Sequence, residues 1–212
     1  MWIKAMLLLV ALVFPPFARA QSSARPMALD ALQLEILGGE WHEIAAFGWW
    51  PHRLCITDTR YTWTVRNPRT IDVRRSCATG SGVETRIGRI RASGGASRPG
   101  QLSATFAPVV LSWIPGAWSD YWVLGRGEDS EWLLVGDRRR QSLAVLSRWA
   151  VLDEAALAAA IAIARHQGFD VDRLLSVPQT RRQGSVPGLP HAFPQQGRPG
   201  WGAVPTAPGA DH

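Results

Sequence analysis

Lysine is almost absent from this 212-residue chain, in which Lys4 is the only lysine. The basic residues are therefore nearly all arginines, a bias that we attribute to genome composition rather than to function. The formal net charge is +6, but residues 21–180 hold 18 basic and 16 acidic residues. A domain so nearly balanced lacks the basic surface that binding to phosphates requires. The charge distribution therefore argues against nucleic acid as a partner.

Thiols and catalytic motifs are also scarce. The two cysteines and five histidines form no cluster of metal-ligand type, so we expect no metal site. The chain contains no Gly-x-Ser-x-Gly elbow and no phosphate-binding loop. The carboxylates of Asp58, Asp72 and Asp120 show no paired arrangement. We therefore expect a protein without enzymatic activity and without a cofactor.

A hydrophobic run long enough to cross a membrane is missing as well. The apolar run from Ala5 to Phe14 has ten residues, about half of the 20 that a spanning helix needs. It follows Lys4 and precedes Ala18-Arg19-Ala20, which offers small residues to an export peptidase. This pattern predicts a secretory signal peptide over residues 1–20, with an uncleaved anchor as the alternative. No cysteine lies at the expected cleavage site directly after the run, so we expect a periplasmic or secreted protein that is soluble after cleavage and not lipidated.

Composition divides the remaining chain into three segments. Residues 21–36 form a short lead-in with little pattern, and residues 37–178 carry the folded domain. Residues 179–212 are rich in proline, glycine and glutamine and poor in aliphatic side chains. Such a segment buries too little apolar surface to offset the entropy of ordering, so we expect a disordered tail.

Most of the folded domain consists of short segments typical of β-strands, separated by turn residues such as Asn67-Pro68. Eight strands are predicted, at Glu40–Phe47, Cys55–Val65, Thr70–Cys77, Val83–Ala92, Gln101–Ala107, Tyr121–Arg126, Glu131–Gly136 and Ser142–Trp149. Short connections and regular spacing favour an antiparallel sandwich or an up-and-down barrel. One helix follows, with Asp153 as its N-cap and Gly168 as its terminator. Phe169–Val177 adds a possible final short strand.

Four segments of this domain carry family motifs. Gly39-Glu40-Trp41 opens the first strand, and Leu134-Val135-Gly136-Asp137 precedes the last. Leu143 to Arg148 is a strand that ends in arginine, and the closing segment from Ala164 to Leu174 includes the end of the helix and the residues after it. In this order the segments resemble the lipocalins, and the last one resembles their bacterial branch. The motif at Gly136-Asp137 departs from the family's usual Thr-Asp-Tyr.

The resemblance implies an all-β fold, an eight-stranded antiparallel up-and-down barrel with one C-terminal α-helix. It also implies that Trp41 and Arg148 meet at the closed end of the barrel, where the guanidinium stacks on the indole. A desolvated cation–π contact of this kind stabilises by about 1–2 kcal/mol. Gly39, Gly136 and Asp137 share this structural rather than ligand-binding role.

The two cysteines flank the Asn67-Pro68 turn. A hairpin centred on that turn brings Cys55 and Cys77 close together, and an oxidising compartment favours a disulfide. Closing a loop of this length would stabilise the protein by roughly 3 kcal/mol in the chain-entropy model. A pair of free redox thiols is the alternative.

Nine of the eleven tryptophans lie between Trp41 and Trp149. They either fill a core or line a cavity, because an eight-stranded barrel just admits one small ligand. Strand periodicity from Trp41 and Arg148, together with aromatic type, gives nine cavity candidates. They are Glu43, Ala45, Phe47, Tyr61, Trp63, Phe106, Tyr121, Ala144 and Leu146. Among them, Glu43 either orients a ligand head group or pairs with an arginine.

An unusually apolar loop spans residues 108–118, hereafter the apolar loop. It either packs across the barrel or forms a portal or membrane-touching lip through Trp113, Ile114 and Trp118.

These features predict binding, transport or storage of a small hydrophobic ligand in the cell envelope. The resemblance to bacterial lipocalins points to a fatty acid or lysophospholipid, with polar groups at the barrel mouth holding the head group. Three alternatives stay open: an interaction protein that docks through the apolar loop, a haem or porphyrin binder, and an enzyme on the same scaffold. We expect a monomer or homodimer that makes at most transient contact with membranes.

Overall fold

The computed structural model of the protein describes residues 25–48 and 55–180. The predicted signal peptide at 1–20 lies outside the described residues, as does the predicted tail from residue 181. Within the described ranges, no helix is both long and apolar enough to cross a membrane.

Antiparallel strands make up most of the described chain. Their bounds are β1 Gly39–Phe47, β2 Thr57–Asn67, β3 Thr70–Thr79, β4 Gly82–Ala92, β5 Leu102–Thr105, β6 Ser119–Asp120, β7 Trp122–Arg126, β8 Trp132–Gly136, β9 Leu143–Ser147 and β10 Leu175–Ser176. The sequence predicted eight strands up to residue 149, and the structure has nine there. The additional one is the two-residue β6, which lies just before the predicted strand Tyr121–Arg126, and the short β10 follows the helix within the predicted segment Phe169–Val177.

The strands form one sheet in the order β6-β5-β4-β3-β2-β1-β9-β8-β7, and β10 pairs with β1. The sheet curls until its two ends meet. There the Tyr121 amide donates to the Leu102 carbonyl at 2.9 Å, and the Val123 amide donates to the Gly100 carbonyl at 2.9 Å. The resulting antiparallel, nearly closed barrel with a C-terminal helix confirms the predicted fold class.

The barrel has a closed end and an open end. Trp41 and Arg148 lie at the closed end, as do the starts of β1, β3 and β5. The turns at the opposite end include residues 137–142 and the apolar loop, which contains the 3-10 helices Val109–Leu111 and Pro115–Ala117.

A β-bulge in β1 changes which side chains face the interior. The pairing of β1 with β9 shifts register between Glu43 and Ala45. A bulge adds one residue to a strand, so the alternation of side chains reverses beyond it. As a result Ala46 packs in the interior, whereas Ala45 and Phe47 pack on the outer face. The predicted inward direction of Ala45 and Phe47 was therefore wrong, because periodicity was extended through the bulge.

The helix α1 spans Glu154–His166 and begins as predicted. The Asp153 carboxylate accepts a hydrogen bond from the Ala156 amide at 2.9 Å, which satisfies one of the free N–H groups of the first turn. Gly168 follows the helix with φ +80°, the left-handed conformation expected of a helix terminator. Leu157, Ala160 and Ala164 are buried on one face of the helix.

Apolar side chains form two cores on opposite faces of the sheet. The interior core fills the barrel around Trp41 and Trp63. The helix-side core joins the outer face of β7, β8 and β9 to α1 through residues such as Leu134, Val145 and Leu157. The helix therefore covers the outside of the barrel and leaves the interior to the strands.

The folded domain extends slightly beyond the expected limits. Leu34 in the predicted lead-in is buried in the interior core. At the other end, the Gln179 side-chain amide donates to the Glu43 backbone carbonyl at 3.0 Å, and the Thr180 backbone amide donates to the Asp58 carboxylate at 2.9 Å. The domain therefore continues past residue 178 to at least Thr180.

Candidate functional site

A stacked tryptophan–arginine pair closes one end of the barrel. The Arg148 guanidinium carbon lies 3.7 Å from the centroid of the fully buried Trp41 ring. The same guanidinium donates to the Ile36 carbonyl at 2.7 Å and to the Glu40 carbonyl at 3.1 Å. The Trp41 indole N–H donates to the Leu37 carbonyl at 2.8 Å. This geometry matches the predicted closed end, and its contacts are structural.

Gly39 and Asp137, the other motif residues predicted to be structural, also make structural contacts. Gly39 has φ +103°, and a Cβ there would lie 2.9 Å from an Arg148 nitrogen, so a side chain would disturb the stacked pair. The Asp137 carboxylate accepts hydrogen bonds from the Ser142 amide at 2.5 Å and from the Arg139 amide at 2.6 Å. Asp137 therefore holds the turn between β8 and β9, next to the end of β8 at Gly136.

The predicted disulfide is present. Cys55 and Cys77 are bonded, both are buried, and their Cα atoms lie 5.5 Å apart. The bond ties the residues before β2 to β3 near the open end. Among the described residues, Cys55, Cys77 and Glu84 form the one group that could hold a metal ion, and the disulfide uses both of its sulfur atoms.

A cavity of about 840 Å³ opens at the end opposite to Trp41. Its size falls in the range of small-molecule sites, roughly 300–1,000 Å³. The lining residues come from β2 to β6, from the apolar loop and from the turn between β8 and β9. They include Tyr61, Arg75, Arg86, Phe106, Trp118, Tyr121 and Arg138. Toward the closed end the interior is filled by the core around Trp41 and Trp63, so this cavity occupies the part of the barrel near the open end.

The floor of the cavity contains a buried carboxylate–phenol pair. The Tyr61 hydroxyl donates to the Glu43 carboxylate at 2.5 Å, and both residues are buried. Burial, followed by the nearby charge of Glu43, raises the pKa of Tyr61 well above its usual value. The same two causes raise the pKa of Tyr121, which also lines the cavity. Both phenols therefore stay protonated at neutral pH, which suits hydrogen bonding better than proton transfer.

Two arginines face the cavity from neighbouring strands. Arg75 on β3 is directly opposite Arg86 on β4, and both line the cavity. Arg75 is only 3% exposed, and its guanidinium donates to the Cys55 sulfur at 3.0 Å. The Arg86 guanidinium lies 2.6 Å from the Glu84 carboxylate.

Sequence reasoning missed both arginines. A signal was present, because Ile71, Val73, Arg75 and Cys77 alternate along one strand and share its buried face. Strand periodicity from Cys77 would have placed Arg75 inside the barrel. An arginine inside a barrel is unusual enough that composition alone gave no reason to look for it.

The predicted cavity residues separate into three groups. Tyr61, Phe106 and Tyr121 line the cavity, and Glu43 lies against Tyr61 at its floor. Trp63, Ala144 and Leu146 belong to the packed interior core. Ala45 and Phe47 face the helix on the other side of the sheet.

Phe106 takes its position because of a glycine on the neighbouring strand. A Cβ at Gly88 would lie 2.6 Å from a ring carbon of Phe106, so only glycine admits the ring at that distance. The ring therefore lies over the backbone of β4, beside the arginine pair.

The apolar loop reaches the cavity at one end and is exposed at the other. The Trp118 indole donates to the Ser112 carbonyl at 2.7 Å, and the Arg91 guanidinium carbon lies 3.8 Å from the Trp118 ring centroid. Through these two contacts Trp118 holds the loop next to the cavity. Trp113 is 78% exposed, and Val109 and Val110 are exposed as well. Within the loop, apolar side chains therefore face outward beside the barrel mouth.

A haem-binding site in this barrel would need a histidine that faces the cavity. His42 lies 3.3 Å from the Gln179 side-chain oxygen and does not line the cavity. His166 is exposed in the last turn of α1, and His52 lies outside the described residues. Among the described residues, no histidine lines the cavity.

An antiparallel barrel that is closed by a Trp–Arg stack and holds a cavity at its other end is a barrel of the lipocalin type. The family model described as "Lipocalin-like domain" matches residues 32–179, so the chain belongs to that family. Lipocalins bind small hydrophobic molecules and are usually not enzymes.

The chain is 30% identical to temperature-induced lipocalin-1 of Arabidopsis thaliana over 156 residues, which cover 72% of this chain and 82% of the plant protein. Among solved structures, insecticyanin from the tobacco hornworm Manduca sexta superposes with a TM-score of 0.56 at 14% identity and covers 78% of this chain and 88% of its own. Lobster apocrustacyanin A1 superposes with a TM-score of 0.53 at 15% identity, covering 68% and 78%. At these identities the two structures support the fold alone.

Proposed function

We propose that the protein binds and carries a single-chain lipid, a fatty acid or lysophospholipid, in the periplasm or outside the cell. The observation that carries this proposal is the cavity of about 840 Å³, which combines aromatic walls with charged side chains. Such a site suits a molecule with one long apolar part and one polar end. Each methylene removed from water contributes roughly 0.8 kcal/mol before the costs of binding.

The chemistry of the cavity floor favours binding over turnover. An enzyme on this scaffold needs an acid–base pair whose pKa values lie near the working pH. Glu43 and Tyr61 do converge on the floor, but the raised pKa of Tyr61 makes its hydroxyl a weak acid at neutral pH. The pair is therefore better suited to holding a polar group than to exchanging its proton.

Native mass spectrometry tests the proposal on protein purified from its own cell envelope. We expect a co-purified mass equal to that of a fatty acid or lysophospholipid. Titration of delipidated protein with hexadecanoate and with hexadecanoyl lysophosphatidylcholine should then restore the complex. A co-purified haem mass, or an empty barrel held by another chain, would overturn the lipid assignment.

The apolar loop supports a further part of this function, transient contact with a lipid surface. Its exposed residues Val109, Val110 and Trp113 adjoin the segment from Gly116 to Ser119 that lines the cavity. A contiguous exposed apolar patch marks a contact site, and here the patch leads directly into the binding site. A lipid could therefore pass from a bilayer to the cavity without crossing water.

Replacing Trp113 and Ile114 with serine should weaken association with phosphatidylcholine vesicles at least about tenfold, because each side chain contributes on the order of 1.5–3 kcal/mol when fully buried. Sedimentation with vesicles measures the effect. Trp149→Ser is the matched control, because Trp149 is also exposed (67%) but lies at the closed end. Equal association of the double variant and the wild type would remove the membrane-contact hypothesis and leave lipid binding intact.

A further inference from the structure

Charge is divided unequally between the two halves of the barrel. Residues 57–105, which form β2 to β5, contain nine arginines and three carboxylates. The other described residues, 25–48, 55–56 and 106–180, contain eight arginines and thirteen carboxylates. Because β2 to β5 are neighbours in the sheet, this difference separates a basic half of the barrel from an acidic half. The near balance of the whole domain therefore conceals a basic surface.

Most of the arginines in the basic half lie on its outer face, hereafter the arginine face. Side chains at alternate positions of β2, β3 and β4 point away from the buried interior. On these strands the outward arginines are Arg60, Arg66, Arg74, Arg89 and Arg91. The connections that follow β2 and β4 at the closed end add the exposed Arg69 and Arg98. The other two arginines, Arg75 and Arg86, line the cavity, where Glu84 pairs with Arg86.

The carboxylates on and beside the arginine face are too few to neutralise it. Asp72 lies within the face and forms salt bridges with Arg66 and, at 3.4 Å, with Arg89. Asp58 on β2 and Glu40 on β1 lie at its border, so seven arginines are opposed by three carboxylates. Within the described ranges, no carboxylate forms a salt bridge with the other five arginines of the face. A surface with such an excess of one charge attracts an anionic partner.

Exposed apolar side chains accompany these arginines. Val83 and Ile87 on β4 are 75% and 61% exposed, and Ile87 is directly opposite Arg74. The Arg91 guanidinium carbon lies 3.8 Å from the Trp118 ring centroid, which joins the arginine face to the apolar loop. A bilayer surface matches this mixture, because guanidinium groups bind phosphates through paired hydrogen bonds and apolar side chains enter the boundary of the acyl layer. A soluble polyanion would match the arginines alone.

We propose that the arginine face docks on a bilayer that contains anionic phospholipids, so that the barrel lies on its basic half and the apolar loop touches the same surface. This inference rests on the membrane contact proposed above and names the class of lipid that makes it. Opposite charges attract the protein over about 10 Å at moderate salt, and the same field turns the acidic half toward water. The loop is thereby presented to the bilayer next to its junction with the cavity.

Sedimentation with two kinds of vesicle tests the proposal, one of phosphatidylcholine alone and one of equal parts phosphatidylcholine and phosphatidylglycerol. The wild type should bind the mixed vesicles more tightly. Arg69→Gln combined with Arg74→Gln should weaken that binding roughly twenty-fivefold, because each basic residue near an anionic surface contributes about fivefold, and should leave binding to phosphatidylcholine unchanged. Arg126→Gln combined with Arg165→Gln is the matched control, since it removes the same charge from exposed positions of the acidic half. It should bind both vesicles as the wild type does.

A second measurement reports the orientation of the bound barrel. An environment-sensitive fluorophore on Thr85→Cys would lie on the arginine face, and the same fluorophore on Ala162→Cys would lie on α1 in the acidic half. Both positions are exposed. Mixed vesicles should shift the emission of the first label to shorter wavelength and leave that of the second unchanged. Equal shifts, or a shift of the second label alone, would overturn the proposed orientation.

The outcomes separate this inference from the proposed function. If the two double-arginine variants bind mixed vesicles equally, the arginine face is not a docking surface, and the contact of the apolar loop is judged by its own serine variants. If double-stranded DNA binds the wild type as tightly as mixed vesicles at equal phosphate concentration, the face is a general polyanion site and the bilayer assignment is wrong. If neither vesicle binds the wild type but hexadecanoate does, membrane contact fails and lipid binding in the cavity stands.

Discussion

The two ends of the barrel interior are built from different chemistry. At the closed end, Trp41, Trp63 and Ile71 pack in the interior core, and the charge of Arg148 has carbonyl acceptors and an indole face. At the open end, Arg75 and Glu43 are buried beside a cavity of about 840 Å³. Apolar burial stabilises a fold, whereas buried charge next to empty space costs free energy. The closed end therefore supplies stability, and the open end is organised for a ligand.

This division predicts that substitutions at the two ends have separable effects. A change at the closed end should lower the free energy of unfolding and leave the affinity for a lipid unaltered as long as the protein folds. A change at the open end should alter the affinity for a lipid and should lower the free energy of unfolding by less than a change at the closed end does. Strained or charged sites retained at the expense of stability are common where proteins bind their ligands.

The largest expected effect is that of Trp41→Ala. Removing this fully buried ring leaves a large void and deprives Arg148 of its stacking partner. Large-to-small substitutions of buried aromatic residues cost about 3–5 kcal/mol, a large fraction of the stability of a domain. Urea denaturation followed by circular dichroism should show a correspondingly lower midpoint.

Trp149→Ala serves as the control for that experiment. Trp149 lies close to the same end but is 67% exposed, so its removal should change the free energy of unfolding by less than about 0.5 kcal/mol. Equal midpoints for the Trp41 and Trp149 variants would show that the closed end is not the main source of stability.

An intermediate effect is expected for Tyr61→Phe at the cavity floor. The substitution keeps the ring and removes the hydroxyl that donates to the buried Glu43 carboxylate at 2.5 Å. Loss of a hydrogen bond to a buried charged group costs about 1–3 kcal/mol. Thermal unfolding measures this change, and Thr62→Val, one residue along β2 and exposed, should leave the melting temperature nearly unaltered. A Tyr61 variant as stable as the wild type would mean that Glu43 does not depend on this hydroxyl.

The sequence predicted the closed end better than the open end. Gly39, Trp41 and Arg148 belong to two of the family motifs, so their positions followed from the resemblance, and the disulfide followed from the hairpin between Cys55 and Cys77. The order of strands followed from turn residues and alternation.

The cavity was harder to predict for two physical reasons. The bulge between Glu43 and Ala45 depends on the pairing of β1 with β9, a contact between residues distant in sequence that periodicity within one strand does not contain. The inward direction of Arg75 contradicts the preference of charged side chains for the surface. It becomes understandable only when the cavity in front of it is known.

The smallest effect concerns the polar contacts that fasten the C-terminal end of the domain beside the open end. The Asp58 carboxylate accepts hydrogen bonds from the Thr180 amide at 2.9 Å, the Thr180 hydroxyl at 2.8 Å and the Thr57 hydroxyl at 2.9 Å. Partial burial acts to raise the pKa of Asp58, but these hydrogen bonds and the charge of Arg60 outweigh it, so the pKa lies below the ordinary value of 3.8.

Because the pKa of Asp58 is lowered in the folded state, the stability that Asp58 contributes is present at high pH and lost at low pH. The folded protein binds a proton at Asp58 less readily than the unfolded chain, so the ionised carboxylate stabilises the fold above the unfolded pKa and loses that effect as the pH falls through the folded pKa. Asp58→Asn is a suitable variant, because asparagine tolerates the left-handed φ of 55° found there. The wild type should exceed the variant in stability by less than about 1 kcal/mol at pH 7, since the group is only partly buried.

The difference should shrink as the pH falls below the ordinary pKa of aspartate and should disappear in urea denaturation series carried below the lowered pKa of folded Asp58, where the side chain is neutral in both proteins. The stability lost by Trp41→Ala should persist over the same pH range, because packing of an indole does not titrate. If the Asp58→Asn difference remained constant down to the lowest pH, the carboxylate charge would not be what fastens Thr180, and the open end would owe its order to packing in the same way as the closed end.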